Sequence, residues 1–523
     1  MNRQNFFGHL ALALTLILVA AFVGQIRRWQ REASRYDTSI RTAPPATAPI
    51  LPRRDKAEVL VRFRSGTTLE KIKAAIARLH DRLEDRMEMI NSNLAVIADE
   101  DGLSAEAVAA EYRRLPDVEY AEPNFTIQLE PLDLKDAEDT GDHEAAPGGG
   151  ARAQFDARID RAKKDWPAAE HTQPAPSVFA QIDRHMRLRP LPETMTGTNV
   201  PNDPLFGEQW SLENSGQRDG KVKADISALQ AWTKTRGSDE VVVAVLDSGV
   251  DYTHPDLAAN IWVRPANIAP YTDDDLGTVD DVHGYNAVDN NGDPMDENGH
   301  GTHCAGIIGA EGGNSIGIAG INWKAQIMPL KFMSKSGFGT TKDAVEAINY
   351  VINRKKAGVN VRIISASWGS TQRSRALEDA IRRAGEEGIL FVAASGNAST
   401  DADKVPHYPA SYELPNVISV AALNRHDMLA SFSNYGAKRV HIAAPGAEIM
   451  STWLKGEYEE HSGTSMATPE VSGVAALVLS VDPDLTVKEL RERLLNSVDK
   501  LDTLRGKVSS GGRLNAARAV NAD

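Results

Sequence analysis

The chain has 523 residues, a length that predicts two to four domains, and a globular composition in which 41% of the residues are hydrophobic. Its formal net charge of −14 argues against nucleic acid as a partner, because binding to nucleic acid depends on basic surfaces. Cys304 is the only cysteine, so no intrachain disulfide can form.

The first 30 residues have the composition of a targeting signal. A largely apolar run extends from Leu10 to Val23, with one arginine before it and three after it. Its length is borderline for crossing a membrane, since about 17 residues are the usual minimum. No clear small-residue cleavage site follows closely. We therefore predict a secretory signal peptide or a signal anchor in residues 1–30, and the sequence leaves that choice open.

Residues 57–130 have the pattern of a small α+β domain. Two strand-like runs, Glu58–Phe63 and Leu94–Ala98, are each associated with a following helix, near 68–82 and near 104–114. With a final strand near Val118–Asn124, this pattern suggests the β-α-β-β-α-β order of a ferredoxin-like fold. The chain then becomes charged and rich in Ala, Gly and Pro, and this composition predicts a linker over residues 131–196.

Residues 202–523 alternate buried strands with helices. Val241–Leu246 and Ile389–Ala394 are apolar runs without a polar alternation, as expected for strands buried on both faces of a parallel sheet. Helices are predicted near 341–356 and 374–387. We therefore predict an α/β domain with a parallel sheet and helices on both faces.

A candidate nucleophile lies where a loop enters a buried helix. Ser465 follows Gly463 and Thr464 and opens a run of small and apolar residues. A hydroxyl there sits in the positive field of the helix N-terminus. Because serine alone is a weak nucleophile, this interpretation requires a base and an orienting carboxylate elsewhere.

Both partners have candidates upstream. Asp247 ends the buried run Val241–Leu246, where a polar side chain faces the crevice at the carboxyl ends of parallel strands. His300 lies between two glycines, Gly299 and Gly301, which allow a tight turn before a helix. Taken singly, the aspartate could be a helix cap, the histidine a loop residue and the serine part of a turn.

The three segments together resemble the signature blocks of the subtilisin-like serine proteases, the subtilases. The blocks are Asp247–Gly249, His300–His303 and Gly463–Pro469, and the resemblance extends over residues 202–523. It implies that Ser465 attacks the scissile carbonyl, that His300 accepts and returns the proton, and that Asp247 orients the imidazole.

An oxyanion donor is also required, and Asn397 is the candidate. It follows the buried run Ile389–Ala394, and Asn after Gly would by itself be a plain turn signal. Within the resemblance, its block matches the subtilase Ala-x-Gly-Asn pattern, which implies that the Asn397 amide stabilises the oxyanion.

The resemblance also implies a substrate groove in which a peptide adds as a strand. A solvent-exposed loop remains the alternative for His407. The residues implied to bind substrate are Gly337, Phe338, Gly339, Ser367, Trp368, Gly369, Ala394, Ser395, Gly396, His407, Tyr408 and Ala410.

Two residues beside the base invite other interpretations. His303 lies three positions after His300, but the Glu-containing spacing of zinc proteases is absent and a second histidine belongs to the subtilase block. Cys304 would lie one helical turn from His300, where a small buried apolar role is favoured over chemistry.

Acidic residues near the Asp247 and His300 signature blocks suggest structural Ca²⁺, since hard cations prefer oxygen ligands. The resemblance implies two sites, and a solvated acidic loop is the alternative for each. The ligands implied for the first are Asp203, Asp256, Asn314, Ile316 and Ile318, and those implied for the second are Asp289, Asn291 and Asp293.

Residues 57–130 resemble the inhibitory propeptide of subtilases, most clearly at Val118–Asn124. The resemblance implies a serine endopeptidase made as a zymogen, with polypeptide substrates and its own propeptide as intramolecular inhibitor. It also implies an extracytoplasmic location, either secreted or anchored to a membrane through the N-terminal segment. A catalytically silent peptide-binding relative and a non-peptide esterase are the alternatives, although Ser465 does not lie in the Gly-x-Ser-x-Gly elbow of one large esterase class.

Overall fold

The computed structural model describes four stretches of the chain, residues 56–89, 92–130, 200–273 and 276–522. The segments with the predicted targeting signal and linker, 1–30 and 131–196, lie outside the described residues. The described residues from Ala57 onward belong to a single unit by their contacts. Within the described stretches, no helix has both the length and the hydropathy that crossing a bilayer requires.

The N-terminal part of this unit is a small α+β domain, as predicted. Its sheet is antiparallel with the strand order β2-β3-β1-β4, and both helices pack on one face of it. The elements are β1 (Glu58–Phe63), α1 (Leu69–Arg78), β2 (Arg82–Met89), β3 (Ser92–Ala98), α2 (Ala105–Tyr112) and β4 (Val118–Pro123). A further short strand, β5 (Thr126–Gln128), leaves this sheet and pairs elsewhere.

Helix α1 is shorter than the sequence pattern predicted, because it ends at Arg78 and not near residue 82. His80 adopts a left-handed backbone conformation with φ of 60°, which stops the helix. The next residues then form β2, whose strand character the charged sequence did not reveal.

The large domain is built on a nine-stranded sheet with the order β18-β19-β15-β14-β13-β12-β6-β10-β9. All neighbouring strands are parallel except the edge pair β18 and β19. Its strands are β6 (Gly237–Asp247), β9 (Tyr285–Asn286), β10 (Lys324–Lys331), β12 (Val361–Ala366), β13 (Leu390–Ala394), β14 (Val417–Leu423), β15 (Ile442–Pro445), β18 (Asp499–Lys500) and β19 (Gly512–Arg513).

Three short pairings surround this sheet. Strand β5 of the small domain pairs with β11, and two hairpins join β7 to β8 and β16 to β17. The strands are β7 (Tyr271–Asp273), β8 (Gly277–Val279), β11 (Phe338–Thr340), β16 (Ile449–Trp453) and β17 (Glu457–His461).

Helices cover both faces of the sheet, which confirms the predicted α/β class. Along β6, Val243 and Val245 pack in one core cluster with α4 and α7, whereas Ala244 and Leu246 pack in another with α5 and α6. The helices are α3 (Ala228–Ala231), α4 (His300–Gly309), α5 (Thr341–Lys356), α6 (Arg375–Glu386), α7 (Thr464–Leu479), α8 (Val487–Asn496) and α9 (Ala516–Asn521). Because parallel strands end at the same edge, residues that follow β6, β12 and β13 meet there.

Candidate active site

Asp247 and His300 form a buried hydrogen-bonded pair. Asp247 is the last residue of strand β6, and His300 is the first residue of α4. His300 Nδ1 lies 2.7 Å from Asp247 Oδ1, and both side chains are almost completely buried. Burial by itself lowers the pKa of His300, but the Asp247 carboxylate more than offsets this and leaves the pKa above its usual value. The pair therefore has a base whose other nitrogen, Nε2, can receive a proton.

Gly301 explains how α4 can start so close to the strand end. A Cβ atom at this position would lie 2.0 Å from the carbonyl oxygen of Gly249 and 3.1 Å from the Cβ of Asp247. Only a residue without a side chain allows the helix to approach β6 this closely. The glycine next to the histidine thus sets the short distance between His300 and Asp247.

Ser465 is the second residue of α7 and reaches the same edge of the sheet. Its Oγ donates a hydrogen bond of 2.9 Å to the carbonyl oxygen of Ser367, which follows β12. Its own carbonyl oxygen accepts from the Cys304 thiol at 3.6 Å, and ligand atoms of Cys304, His300 and Asp247 lie within 4.8 Å of one another. His300 Nε2 is buried and has no hydrogen-bond partner among the described residues. The Ser465 hydroxyl therefore points toward Ser367 in this conformation.

Asn397 follows β13 and is oriented by the residue before the serine. The backbone amide and the hydroxyl of Thr464 donate to Asn397 Oδ1 at 2.8 and 2.9 Å. This fixes the amide oxygen toward α7 and leaves the amide nitrogen as the donor on the opposite side. An amide held in that way is preorganised for a developing oxyanion.

The predicted substrate groove contains the tail of the small domain. Strand β5 pairs antiparallel with β11, so that Gln128 is opposite Phe338 and Ile127 is opposite Gly339. The amide of Leu129 extends this pairing with a 2.9 Å bond to the carbonyl oxygen of Gly337. On the other side, Ser367, Trp368 and Gly369 have no strand pairing with this tail among the described residues.

His407 is buried, with only 8% of its surface exposed, so the loop alternative with an exposed side chain is wrong. A Cβ at Gly369 would lie 2.0 Å from His407 Nε2, and a Cβ at Gly396 would lie 3.0 Å from His407 Cγ. The ring is thus held between the segments that follow β12 and β13. Tyr408 and Ala410 continue the wall, with Ala410 almost fully buried.

Sequence analysis did not find Glu130, which lies at the centre of this site. Its carboxylate lies 3.9 Å from His407 Nε2. Burial raises the pKa of Glu130, and the nearby backbone and side-chain amides of Asn397 counteract that rise. The only available signal was its position at the end of the small domain, two residues after β5.

The small domain also contacts the catalytic domain away from the groove. Glu122 caps the N-terminus of α6 by accepting from the Ser374 hydroxyl at 2.6 Å and from the amides of Arg375 and Ala376 at 2.9 and 3.0 Å. A carboxylate is favoured there by free amides and by the helix dipole. Beside this cap, Arg62 forms an ion pair with Asp379 on the same helix.

Neither His303 nor Cys304 has the surroundings of a second reactive group. His303 Nε2 lies 3.1 Å from the carbonyl oxygens of Ile449 and Glu459, and burial lowers its pKa well below the usual value. Burial raises the pKa of the Cys304 thiol, which keeps it neutral. Both side chains therefore support the packing of α4 against the hairpin β16–β17 and α7.

The first predicted calcium loop is assembled around two buried carboxylates. Asp256 accepts from the side chain of Asn314 at 2.7 Å, the amide of Ile318 at 3.0 Å and the hydroxyl of Tyr458 at 3.1 Å. Asp203 accepts from two amides of the same loop. Burial raises the pKa of Asp256 to about 7 and that of Asp203 to about 6. Within the described residues, neither carboxylate has an ion pair with a basic group.

The residues of the second predicted calcium loop are exposed to solvent. Asp289 accepts from the side chain of Asn286 at 3.0 Å, whereas Asp293 accepts from the hydroxyl of Tyr252 at 3.0 Å. Asn291 accepts from the amide of Asp293. The three side chains therefore make separate local hydrogen bonds.

Comparisons with known proteins agree with this geometry. The family model described as Subtilase family matches residues 238–513, a segment that includes Asp247, His300 and Ser465. The chain belongs to the subtilase family. A second model, described as Fervidolysin N-terminal prodomain, matches residues 56–124. The protein is therefore a subtilisin-like serine protease, an endopeptidase by family, with an N-terminal prodomain.

Three relatives indicate how far the similarity extends, each over 61% of this chain. Thermitase of Thermoactinomyces vulgaris is 38% identical over 99% of its own length. A thermophilic serine proteinase of Bacillus sp. strain AK1 is 39% identical over 69% of its length. Subtilisin-like protease 1 of Plasmodium berghei is 35% identical, and the match spans 54% of that relative.

Proposed function

We propose that this subtilase is made as a zymogen and cleaves peptide bonds through Asp247, His300 and Ser465. The observation that carries the proposal is the 2.7 Å bond between His300 Nδ1 and Asp247 Oδ1, at the edge of the sheet where α7 presents Ser465. Asp247 fixes the imidazole tautomer so that Nε2 is free to accept the Ser465 proton as the hydroxyl attacks the carbonyl carbon. The same proton then passes from Nε2 to the departing amine.

The charge that develops on the substrate oxygen is stabilised by the Asn397 amide. Thr464 holds Asn397 Oδ1, so Nδ2 donates without a reorientation during the reaction. Before attack, the Ser465 hydroxyl must rotate from the carbonyl of Ser367 toward His300 Nε2, a rotation about one side-chain bond. We propose that the occupied groove of the precursor maintains the resting orientation.

The propeptide acts in this proposal as the intramolecular inhibitor. Its tail, β5, takes the place of substrate along β11, and its body is fixed to α6 through Glu122. We also propose that the enzyme is exported from the cytoplasm and is either secreted or anchored to a membrane. The attached propeptide would keep the protease inactive until it has left the cytoplasm.

Ca²⁺ would be held by the first loop, with carboxylate oxygens from Asp203 and Asp256, the side-chain oxygen of Asn314 and carbonyl oxygens of Ile316 and Ile318. The fit is supported by two buried carboxylates, both with pKa values that burial raises. A divalent cation there would neutralise them and stabilise the fold by linkage. The exposed loop around Asp289 stays a second candidate.

The test is the variant Ser465→Ala in the full chain. It should abolish casein hydrolysis, labelling by a fluorophosphonate and separation of the propeptide, because one nucleophile performs all three reactions. Normal maturation of the variant in a host without other proteases would contradict self-processing. Wild-type protein that is labelled but does not cleave casein would indicate an esterase, and protein that does neither would indicate a silent peptide-binding relative.

A further inference from the structure

The pocket beside Ser465 contains an acidic side chain supplied by the chain itself. Strand β5 runs along β11, and the bond from the Leu129 amide to Gly337 continues the pairing to the residue before Glu130. The next side chain along an extended peptide in this register is therefore Glu130. It reaches both the oxyanion donor Asn397 and His407.

His407 forms the polar wall of this pocket. Its ring packs directly against Gly369 and Gly396, where an added Cβ atom would be too close to the imidazole. Among the described residues, Glu130 is the acidic group within 4 Å of a His407 ring nitrogen. A ring nitrogen of His407 therefore faces the side chain that occupies the pocket beside Ser465.

The protonation state of the ring fits such an occupant. Burial lowers the pKa of His407 to about 4, so the imidazole is neutral at neutral pH and carries one N–H donor. This neutral donor can bind a carboxylate or a carboxamide. A lysine ammonium would find at most the one unprotonated ring nitrogen of His407 as an acceptor, and an aromatic ring would leave the buried N–H of the imidazole without a partner.

We infer that this subtilase prefers glutamate on the amino side of the bond it cleaves, with His407 as the residue that determines the preference. The inference rests on the proposed proteolytic function and deepens it by naming the class of substrate. Glutamine, which keeps the acceptor oxygen but not the charge, is the second-best side chain.

The experiment compares peptides that repeat residues 126–130 and continue with Ala-Ser. Alanine replaces Pro131 because an X–Pro bond is a tertiary amide without an N–H, which would complicate cleavage. The position of Glu130 is filled in turn by Glu, Gln, Leu, Phe and Lys, and kcat/KM is measured with enzyme matured from the full chain. We expect the glutamate peptide to exceed the leucine, phenylalanine and lysine peptides by about tenfold or more, as for one hydrogen bond to a charged group.

Variants of His407 test its role. His407→Leu should lower the glutamate-to-leucine ratio of kcat/KM by about tenfold, and His407→Gln, which keeps a donor, should restore most of it. His426→Leu, at an exposed histidine of the same domain, is the matched control and should leave the ratio unchanged. Fluorophosphonate labelling of Ser465 verifies that each variant is folded.

The outcomes separate the two proposals. Enzyme that hydrolyses casein but shows no glutamate preference, or a ratio that His407→Leu does not change, overturns the inference and leaves the protease function intact. Enzyme that hydrolyses neither casein nor any peptide overturns the proposed function itself, and the inference with it.

Discussion

Glu470 should make the stability of the fold depend on pH. It lies in α7, five residues after Ser465, and its side chain is fully buried. Within the described residues, neither carboxylate oxygen has a partner in hydrogen-bond geometry, although the nearby Ser211 hydroxyl opposes the rise in pKa slightly. Burial raises the pKa of Glu470 from 4.5 to about 8.

The sign of the effect follows from which state holds the proton. Below pH 4.5 the carboxyl is protonated in both states and stability is complete. Between pH 4.5 and about 8 the unfolded chain has released the proton while the folded chain retains it. The free energy of unfolding therefore falls by about 1.4 kcal/mol per pH unit, to a total loss of about 5 kcal/mol above pH 8.

The variant Glu470→Gln removes this titration with little change in shape. Both proteins should carry Ser465→Ala, so that self-digestion does not obscure unfolding, and their thermal midpoints are compared by circular dichroism between pH 5 and pH 9. Any cost of the buried amide is independent of pH. The midpoint of the glutamine variant relative to its parent should therefore rise by a few degrees per pH unit.

A matched control is Glu492→Gln on α8, where 56% of the side chain is exposed. Its midpoint should follow that of its parent at every pH. A difference between the Glu470→Gln protein and its parent that stays constant from pH 5 to pH 9 would refute the reasoning, since it would mean that Glu470 ionises in the fold as it does in water.

Three further predictions concern the oxyanion donor, the propeptide and the metal. Asn397→Ala should lower kcat by about 10²–10³ with little change in KM; a defect confined to KM would remove it from that role. Glu122→Ala should lower co-purification of the cleaved propeptide with the enzyme by about tenfold, as for a lost charged hydrogen bond, whereas exposed Glu106→Ala should not. Excess EDTA should shorten the inactivation half-life relative to millimolar Ca²⁺, and Asp256→Asn should abolish that difference; equal half-lives for the wild type would indicate a merely solvated loop.

Much of the fold and the identity of the candidate triad could be predicted from local patterns. The unbroken apolar run before Asp247 identified a strand buried on both faces, and its end located a carboxylate at the sheet edge. Small residues around His300 and Ser465 marked two helix starts. These features depend on residues that are close together in the sequence, so they can be recognised from the sequence alone.

The contacts that control the site could not be predicted in this way. Glu122 and the Ser374 hydroxyl are separated by 252 positions, and three residues of β5 are too few to show a strand period. From the sequence, Glu130 is only the end of a small domain, and Glu470 is one polar residue in an apolar helix. Packing places the Glu130 carboxylate 3.9 Å from His407 Nε2, and it buries the Glu470 carboxylate without a hydrogen-bond partner among the described residues.

The sequence by itself thus determined the α/β class, the prodomain pattern and the chemical groups available for catalysis, because these follow from short-range periodicity and residue type. Tertiary structure alone decided which atoms meet: His300 Nδ1 with Asp247, the Glu130 carboxylate with His407, and the Ser465 hydroxyl with Ser367. Such distances depend on how strands and helices distant in sequence pack against one another, and packing also fixes the burial that shifts each pKa.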